Sequence, residues 1–423
     1  MASSFLFATY TILFSWWIYK SKWVRSSGLP SRLLIFFFLL KISIGCVYGY
    51  WYFYQEHADT WHFHKGALDE YNLLFSDPWN YLTNLFHTDY PGGWRNIFSN
   101  ENSDWNDLKD HLVVKFISIM HIFSFGNYYV NVVIYSFITF FSFVFLYKGL
   151  SRFYGSINPA ATIFLFLTPS CLFWTSGIHK DGLILLSISI VIYQLSKFSY
   201  QGTRRLKTWL IITVAMMFIF ILRSYAMLAL VPAIIALVIC RLRQVSPPKS
   251  FLVVYAIGIA FFFLGGLFHS STDFPQKIVN YRTEFQQMPG DSRLSQGRLQ
   301  PTVISFVRHT PEAVDHAMFR PYLWQAKSVM EIVAGVEITG FLIIIIITVF
   351  FHKHSSPRAV DWFLVSYSIS VLLFIGFIVS FSGAIVRYRA IYLMLILVVC
   401  AQCLDLEKMK NLVTGFKPGK NTH

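Results

Sequence analysis

An aspartate set among histidines is the first feature of this 423-residue chain that could do chemistry. Asp59 lies in EHADTWHFHKGALDEY with His57, His62 and His64, and Asp69 and Glu70 follow ten residues on. The run TPSCLFWTSGIHKDG then carries His179, Lys180 and Asp181 side by side. Arginines stand at similar boundaries between apolar and polar sequence. Arg223 is in LRSYA, Arg387 and Arg389 are in SGAIVRYRAIY, and Arg320 is in MFRPYLW. Guanidinium groups offer paired donors to phosphate oxygens, and a lysine offers a compact charge. Lys180, Arg223, Arg387 and Arg389 therefore suit a phosphate-bearing lipid, and Asp59 could accept a proton from an attacking hydroxyl. His62, His64, Asp69, Glu70, His179, Asp181 and Arg320 would support such a site.

Each of these residues also has a structural reading. Boundary arginines can reach toward lipid headgroups, and Lys180 can pair with Asp181 at a tight turn. His62 and His64 share a face on a strand but diverge on a helix, and no HExxH motif accompanies them. Which metal is bound, if any, stays open; Asp59 with Asp69 and Glu70 is an oxygen set that would suit Mg²⁺ or Mn²⁺. The five cysteines all fall in or beside apolar runs, and Cys400 and Cys403 read as packing residues despite their CxxC spacing.

The elements that must position these groups are membrane helices. The chain is 55% hydrophobic and 18% aromatic, with only 13% charged residues against about 25% in soluble domains. Runs of about 20 apolar residues span a bilayer, and they predict an all-α polytopic membrane protein with about 11 spans. These fall at 4–19, 33–54, 128–147, 158–177, 182–197, 208–223, 225–240, 251–268, 334–351, 360–382 and 386–404. The first run lacks a basic flank and a cleavage site, so it reads as a retained helix. Pro169 and Pro232 fall inside spans and are expected to kink them.

Threading the spans alternately separates the charges. The connections on one side, with Lys197, Asp361 and the basic tail 405–423, hold 19 Lys and Arg against 3 Asp and Glu. The loop 53–127 on the other side has 10 acids and 4 bases. By the positive-inside rule the N-terminus lies outside and the C-terminus in the cytoplasm. The net charge of +14 is thus a topology signal with affinity for anionic lipid, and nucleic acid is not an expected partner. Two large segments, 53–127 and 269–333, are extracytoplasmic and contain interfacial helices. In the first, 110–124 is apolar but carries Lys115 and His121, which suits a helix lying in the interface.

Taken together, these runs resemble the GT-C superfamily of integral membrane glycosyltransferases, of the type that assembles bacterial polysaccharides. PSCLFWTSGIHKDG is similar to a PS-x-x-FW-x-S-G-x-x-KD turn; LRSYA and VRYRAIY are similar to RPY and RYR-x-P elements. Ser224 and Ala390–Ile391 replace the prolines of those patterns. The resemblance implies a sugar carried on polyprenyl phosphate, and a glycan, lipid or protein acceptor at the outer face of a bacterial inner membrane. It implies Asp59 as catalytic base or metal-facing acid, and Lys180, Arg223, Arg387 and Arg389 as phosphate contacts. Two further readings stay open: a polymerase or ligase joining lipid-linked glycans, and a transporter. Transporters place ionisable groups near the bilayer midplane and often show repeats; here mid-span charges are scarce, Lys41 being the clearest, and no internal repeat is found.

Overall fold

The computed structural model describes residues 2–55, 58–84, 104–201, 206–290, 292–353 and 356–414, so His57 and the end of the basic tail fall outside the described residues. The chain begins with α1 (Ala2–Lys20), α2 (Lys22–Arg25) and α3 (Ser31–Trp51). The first large segment holds α4 (Asp59–Ser76), α5 (Pro78–Thr83) and α6 (Asp104–Ser124). Six helices follow in close succession: α7 (Tyr128–Tyr154), α8 (Pro159–Leu167), α9 (Pro169–Ser176), α10 (Lys180–Gln201), α11 (Leu206–Leu222) and α12 (Ser224–Arg243). After α13 (Pro247–Leu264), the second large segment supplies α14 (Phe274–Gln287) and α15 (Val303–Val314). The chain closes with α16 (Val329–Phe350), α17 (Ala359–Ile378), α18 (Ser382–Cys403) and α19 (Leu406–Thr414). No strand is formed by the described residues, and the chain is an all-α polytopic membrane protein.

Nine spans among the described residues are long and apolar enough to cross a bilayer: α3, α7, α8 with α9, α10, α12, α13, α16, α17 and α18. The two further expected spans, α1 and α11, are helices at the expected places but outside this set. α11 has only 17 residues, and α1 mixes its apolar residues with hydroxyls and with Trp16 and Trp17. The loop 53–127, expected to carry an interfacial helix over 110–124, carries three helices, and that one starts six residues earlier.

Local sequence explains the boundaries that matter for the site. Arg223, with φ −158° and ψ 80°, leaves the helical region and separates α11 from α12. Pro169 lacks an N–H to continue α8, so it opens α9 as a new helix instead of kinking an old one. Pro232 lies within an unbroken α12. α9 ends at Ser176, and the three residues Gly177, Ile178 and His179 turn the chain into α10.

The buried centre of the bundle is α7, α10, α17 and α18. α7 and α18 bury 72% of their apolar windows against 17% for α13 and 22% for α16, whose outer faces are left for lipid. Lys41, the mid-span charge of α3, is fully buried. Its Nζ donates to Thr175 O at 2.6 Å and lies 3.3 Å from both Thr175 Oγ1 and Ser176 Oγ. It thereby satisfies the carbonyl end of α9, where backbone acceptors lack helical partners. At the opposite end of the bundle, Arg358 Nη1 donates to Tyr154 O at 2.6 Å and Tyr154 Oη donates to Asp361 Oδ1 at 2.5 Å, tying α7 to α17.

Gly182 sits where α7, α9 and α10 meet: an added Cβ would lie 2.5 Å from Tyr135 Oη and 2.8 Å from Thr175 O. Gly182→Val should therefore cost about 1–3 kcal/mol by overpacking and lower the thermal midpoint in detergent. Gly258→Ala, with nothing within 4 Å of the new methyl group, should leave it unchanged. Equal midpoints for both variants would contradict this packing.

Candidate functional site

Four elements converge at the end of the bundle where α3 finishes and α10, α12 and α18 begin. Arg387, in the second turn of α18, donates from Nε to Asp181 Oδ2 at 2.7 Å and from Nη1 to Asp59 Oδ2 at 2.6 Å. Arg223, at the α11–α12 break, donates from Nη2 to Asp181 Oδ1 at 2.6 Å. His179 Nδ1 lies 3.0 Å from Asp181 Oδ2. Lys180 does not pair with its neighbour Asp181; its ammonium binds Asp110 of α6. Asp59, His179, Asp181, Arg223 and Arg387, separated by up to 328 residues, thus form one network, and the Lys180–Asp110 pair adjoins it through the chain neighbour Asp181.

Aromatic rings enclose it. The Arg223 guanidinium lies 4.6 Å from the Tyr388 ring centroid, and that of Arg387 lies 5.6 Å from Trp174. Such contacts favour a desolvated cation. The His179 imidazole lies 5.2 Å from the Tyr48 ring, and Tyr135 Oη donates to the His179 carbonyl at 2.5 Å. Tyr128 Oη shares a 2.7 Å hydrogen bond with Thr60 Oγ1, which fixes the first turn of α4 beside the bundle.

Burial grades the network from floor to rim. The side chains of His179, Asp181 and Arg223 are at most 7% exposed, whereas those of Asp59 and Asp110 are each 48% exposed. Partial burial pushes the Asp59 carboxyl up, but Arg387, then His179 and Lys180, outweigh it and hold the group below the ordinary carboxylate value. Burial lowers His179, and Arg387 lowers it further against the pull of Asp181. Lys109, on α6, is pushed down to about 8, first by burial and then by Lys180, with Arg223 adding to it against Asp110. Below the rim, Arg223 Nη1 and His179 Nε2 are buried without a hydrogen-bond partner.

The remaining expected residues lie elsewhere. Arg389 does not join Arg387: two positions along a helix turn a side chain by roughly 200°. It is 2% exposed and donates to Ala317 O at 3.1 Å and to the carbonyl of Arg320. Arg320 itself donates from Nε to Asp315 Oδ2 at 2.7 Å, forming a second cluster with Tyr322 that closes the segment 269–333. Glu70 is turned to α6, accepting from Lys115 Nζ at 2.5 Å and from Asn84 Nδ2 at 2.8 Å, so it does not extend Asp59 into an acidic set. Asp69 and His62 are exposed on α4, while His64 is buried on its other side. No group of three His, Cys, Asp or Glu side chains that could hold a metal ion occurs among the described residues. A cavity of about 640 Å³ lies at the opposite end of the bundle, lined by Phe198, Arg241, Gln244 and Ser246 among others, and includes none of these groups.

Asp110 and Lys109 were missed from sequence. Asp110 opens the run read as an interfacial helix and Lys109 lies just before it; the signal for them is the polar first turns of α6, which bring Asp110 to Lys180. The aromatic enclosure of Tyr48, Tyr135 and Tyr388 had no local signal, because tyrosine is common throughout the spans.

No family model, curated protein or solved structure matches this chain.

Two predictions follow from burial. Asp181→Asn removes the charge between two arginines at a 2% exposed position, and loss of one partner from a buried ion pair costs about 3–5 kcal/mol. Its thermal midpoint should fall well below that of Asp59→Asn, and equal midpoints would contradict the grading. The second concerns His64 and His121, whose ring centroids lie 5.0 Å apart between α4 and α6. Both are held down to about 4, mainly by burial, against an ordinary 6.5. The unfolded chain then binds protons in this range that the folded chain refuses, so their contribution is complete above pH 6.5 and is lost toward pH 4. The thermal midpoint should fall on acidification, and His64→Phe should flatten that fall; a parallel decline in both proteins would refute the assignment.

Proposed function

We propose that this protein is a membrane glycosyltransferase that moves a sugar from a polyprenyl-phosphate donor to an acceptor at the extracytoplasmic face. The observation that supports this reading best is the Asp59–Arg387–Asp181–Arg223 network. It joins a half-exposed carboxylate from the large polar segment to two arginines at the rim of the bundle, next to the Lys180–Asp110 pair. On this reading all eleven apolar helices span the membrane, and the network lies on the outer side, opposite the basic connections.

In the reaction, the acceptor oxygen bonds to the anomeric carbon as the bond from that carbon to the phosphate oxygen breaks. Its electron pair leaves with the polyprenyl phosphate. Asp59 accepts the acceptor proton, and Arg387, Arg223 and Lys180 stabilise the charge that grows on the departing phosphate. Fixed donors of this kind usually account for the larger share of the barrier lowering in such reactions. The same groups would serve a polymerase joining two lipid-linked glycans.

The test is transfer of radiolabelled sugar from polyprenyl-phosphate donors in proteoliposomes. Asp59→Asn should lower the rate by about 10²–10⁴, the usual contribution of a general base. Arg387→Gln should lower it by about 10²–10³, as for loss of one fixed donor to a developing anion. Thr310→Ala, in the second segment and bonded only to its own helix, should transfer at the rate of the unaltered protein. Full activity in Asp59→Asn would overturn the reading.

A further inference from the structure

The strongest cations of the site are already met by acids. Arg223 and Arg387 face Asp181, Arg387 also faces Asp59, and Lys180 faces Asp110. Arg387 has both Nε and Nη1 engaged by carboxylates, and the Lys180 ammonium is engaged by Asp110. A phosphoryl group can take the Arg387 Nε and Nη1 bonds, and the Lys180 bond that faces Asp110, only by displacing an acid. The acids are not equally displaceable. Asp181 is 2% exposed and is held by Arg223, Arg387 and His179. Asp59 and Asp110 are each 48% exposed; Asp59 is paired with Arg387, and Asp110 with Lys180. They also belong to α4 and α6, in the segment between two spans, whereas the cations belong to the bundle.

We infer that Asp59 and Asp110 occupy the seats of a phosphoryl ligand, and that its binding to Arg387 and Lys180 releases them. This inference rests on the reading above and adds a coupling to it. Asp59 in the unliganded protein is a weak base, because Arg387 holds its charge. When phosphate takes the Arg387 donors, Asp59 loses that partner and gains proton affinity, so the base is armed only after the donor is seated. The buried Nη1 of Arg223, with no partner of its own, is a further donor beneath the seats. The shared chemistry is the phosphoryl group, whether it comes from a polyprenyl lipid or from free phosphate.

The exchange makes a prediction that runs against simple loss of a binding residue: removing the acid should strengthen binding. The full chain in nanodiscs is titrated with polyprenyl phosphate, and separately with inorganic phosphate, and transfer is assayed on the same samples. Asp59→Ala and Asp110→Ala should each bind polyprenyl phosphate about tenfold tighter than the unaltered protein, as expected when an occluded state populated near ten to one is removed. Arg387→Gln should lose most of the binding. Circular dichroism and the thermal midpoint identify samples that are folded. Affinity that is unchanged or weaker in both folded alanine variants overturns the exchange. Tighter binding without sugar transfer by the unaltered protein keeps the exchange and discards the transferase reading. Absence of binding by every folded protein discards both. Inorganic phosphate that tightens in parallel identifies the headgroup as the recognised element, and tightening confined to the lipid shows that the chain is recognised as well; either result supports the exchange.

Discussion

One buried carboxylate organises the polar end of this protein. Asp181 accepts from Arg223 on one oxygen and from Arg387 on the other, with His179 close to the second. Neither arginine could be kept among tyrosine and tryptophan rings without that charge, because isolated buried ions are strongly disfavoured. Asp181 sits in the first turn of α10, where the helix N-terminus favours an acid. α10 can begin there because α9 stops at Ser176 and Lys41 satisfies the Thr175 carbonyl near its end. The α11–α12 break then delivers Arg223, and the second turn of α18 delivers Arg387. Three segments distant in sequence are fixed to each other by two ionic contacts, and the outer helices are docked onto the result.

That arrangement divides the site into a rigid floor and a softer rim. The floor consists of residues from spans packed on all sides, and Gly182 marks how close their backbones approach. The rim consists of Asp59 and Asp110 on helices that lie over the bundle end. A rigid set of cations with removable anions is suited to an anionic substrate, since the donors are oriented before it arrives and little reorganisation is needed. On the proposed reading this is how the site distinguishes its resting and loaded states. The buried His64–His121 pair bears on the same surface, because it holds α4 against α6.

Much of this was legible in the sequence, for physical reasons. Apolar runs of bilayer length leave few alternatives to helices, and charges confined to short connections reveal which ends belong together. Six charged or histidine residues could therefore be expected at one end before any contact was known. Contacts were less legible than ends. Arg387 and Arg389 look equivalent in RYR, yet helix geometry sends one to Asp59 and the other to the carbonyls of Ala317 and Arg320. Lys180 and Asp181 look like a local pair, but each finds its partner on another helix. Glu70 looks like a companion to Asp59, and the 3.6-residue period turns it to Lys115 instead. α11, apolar but only 17 residues long, and α1, with hydroxyls among its apolar residues, show where length and composition stop distinguishing a crossing helix from a buried one.

The central claim is that this ionic cluster is a seat for the phosphate of a lipid. A high-resolution map of the full chain in nanodiscs containing a polyprenyl phosphate tests it most directly. The account predicts phosphate density bonded to Arg387 and Lys180, with the Asp59 carboxylate moved off Arg387. An intact Asp59–Arg387 pair at 2.6 Å, with the lipid phosphate bound elsewhere on the protein, would contradict it.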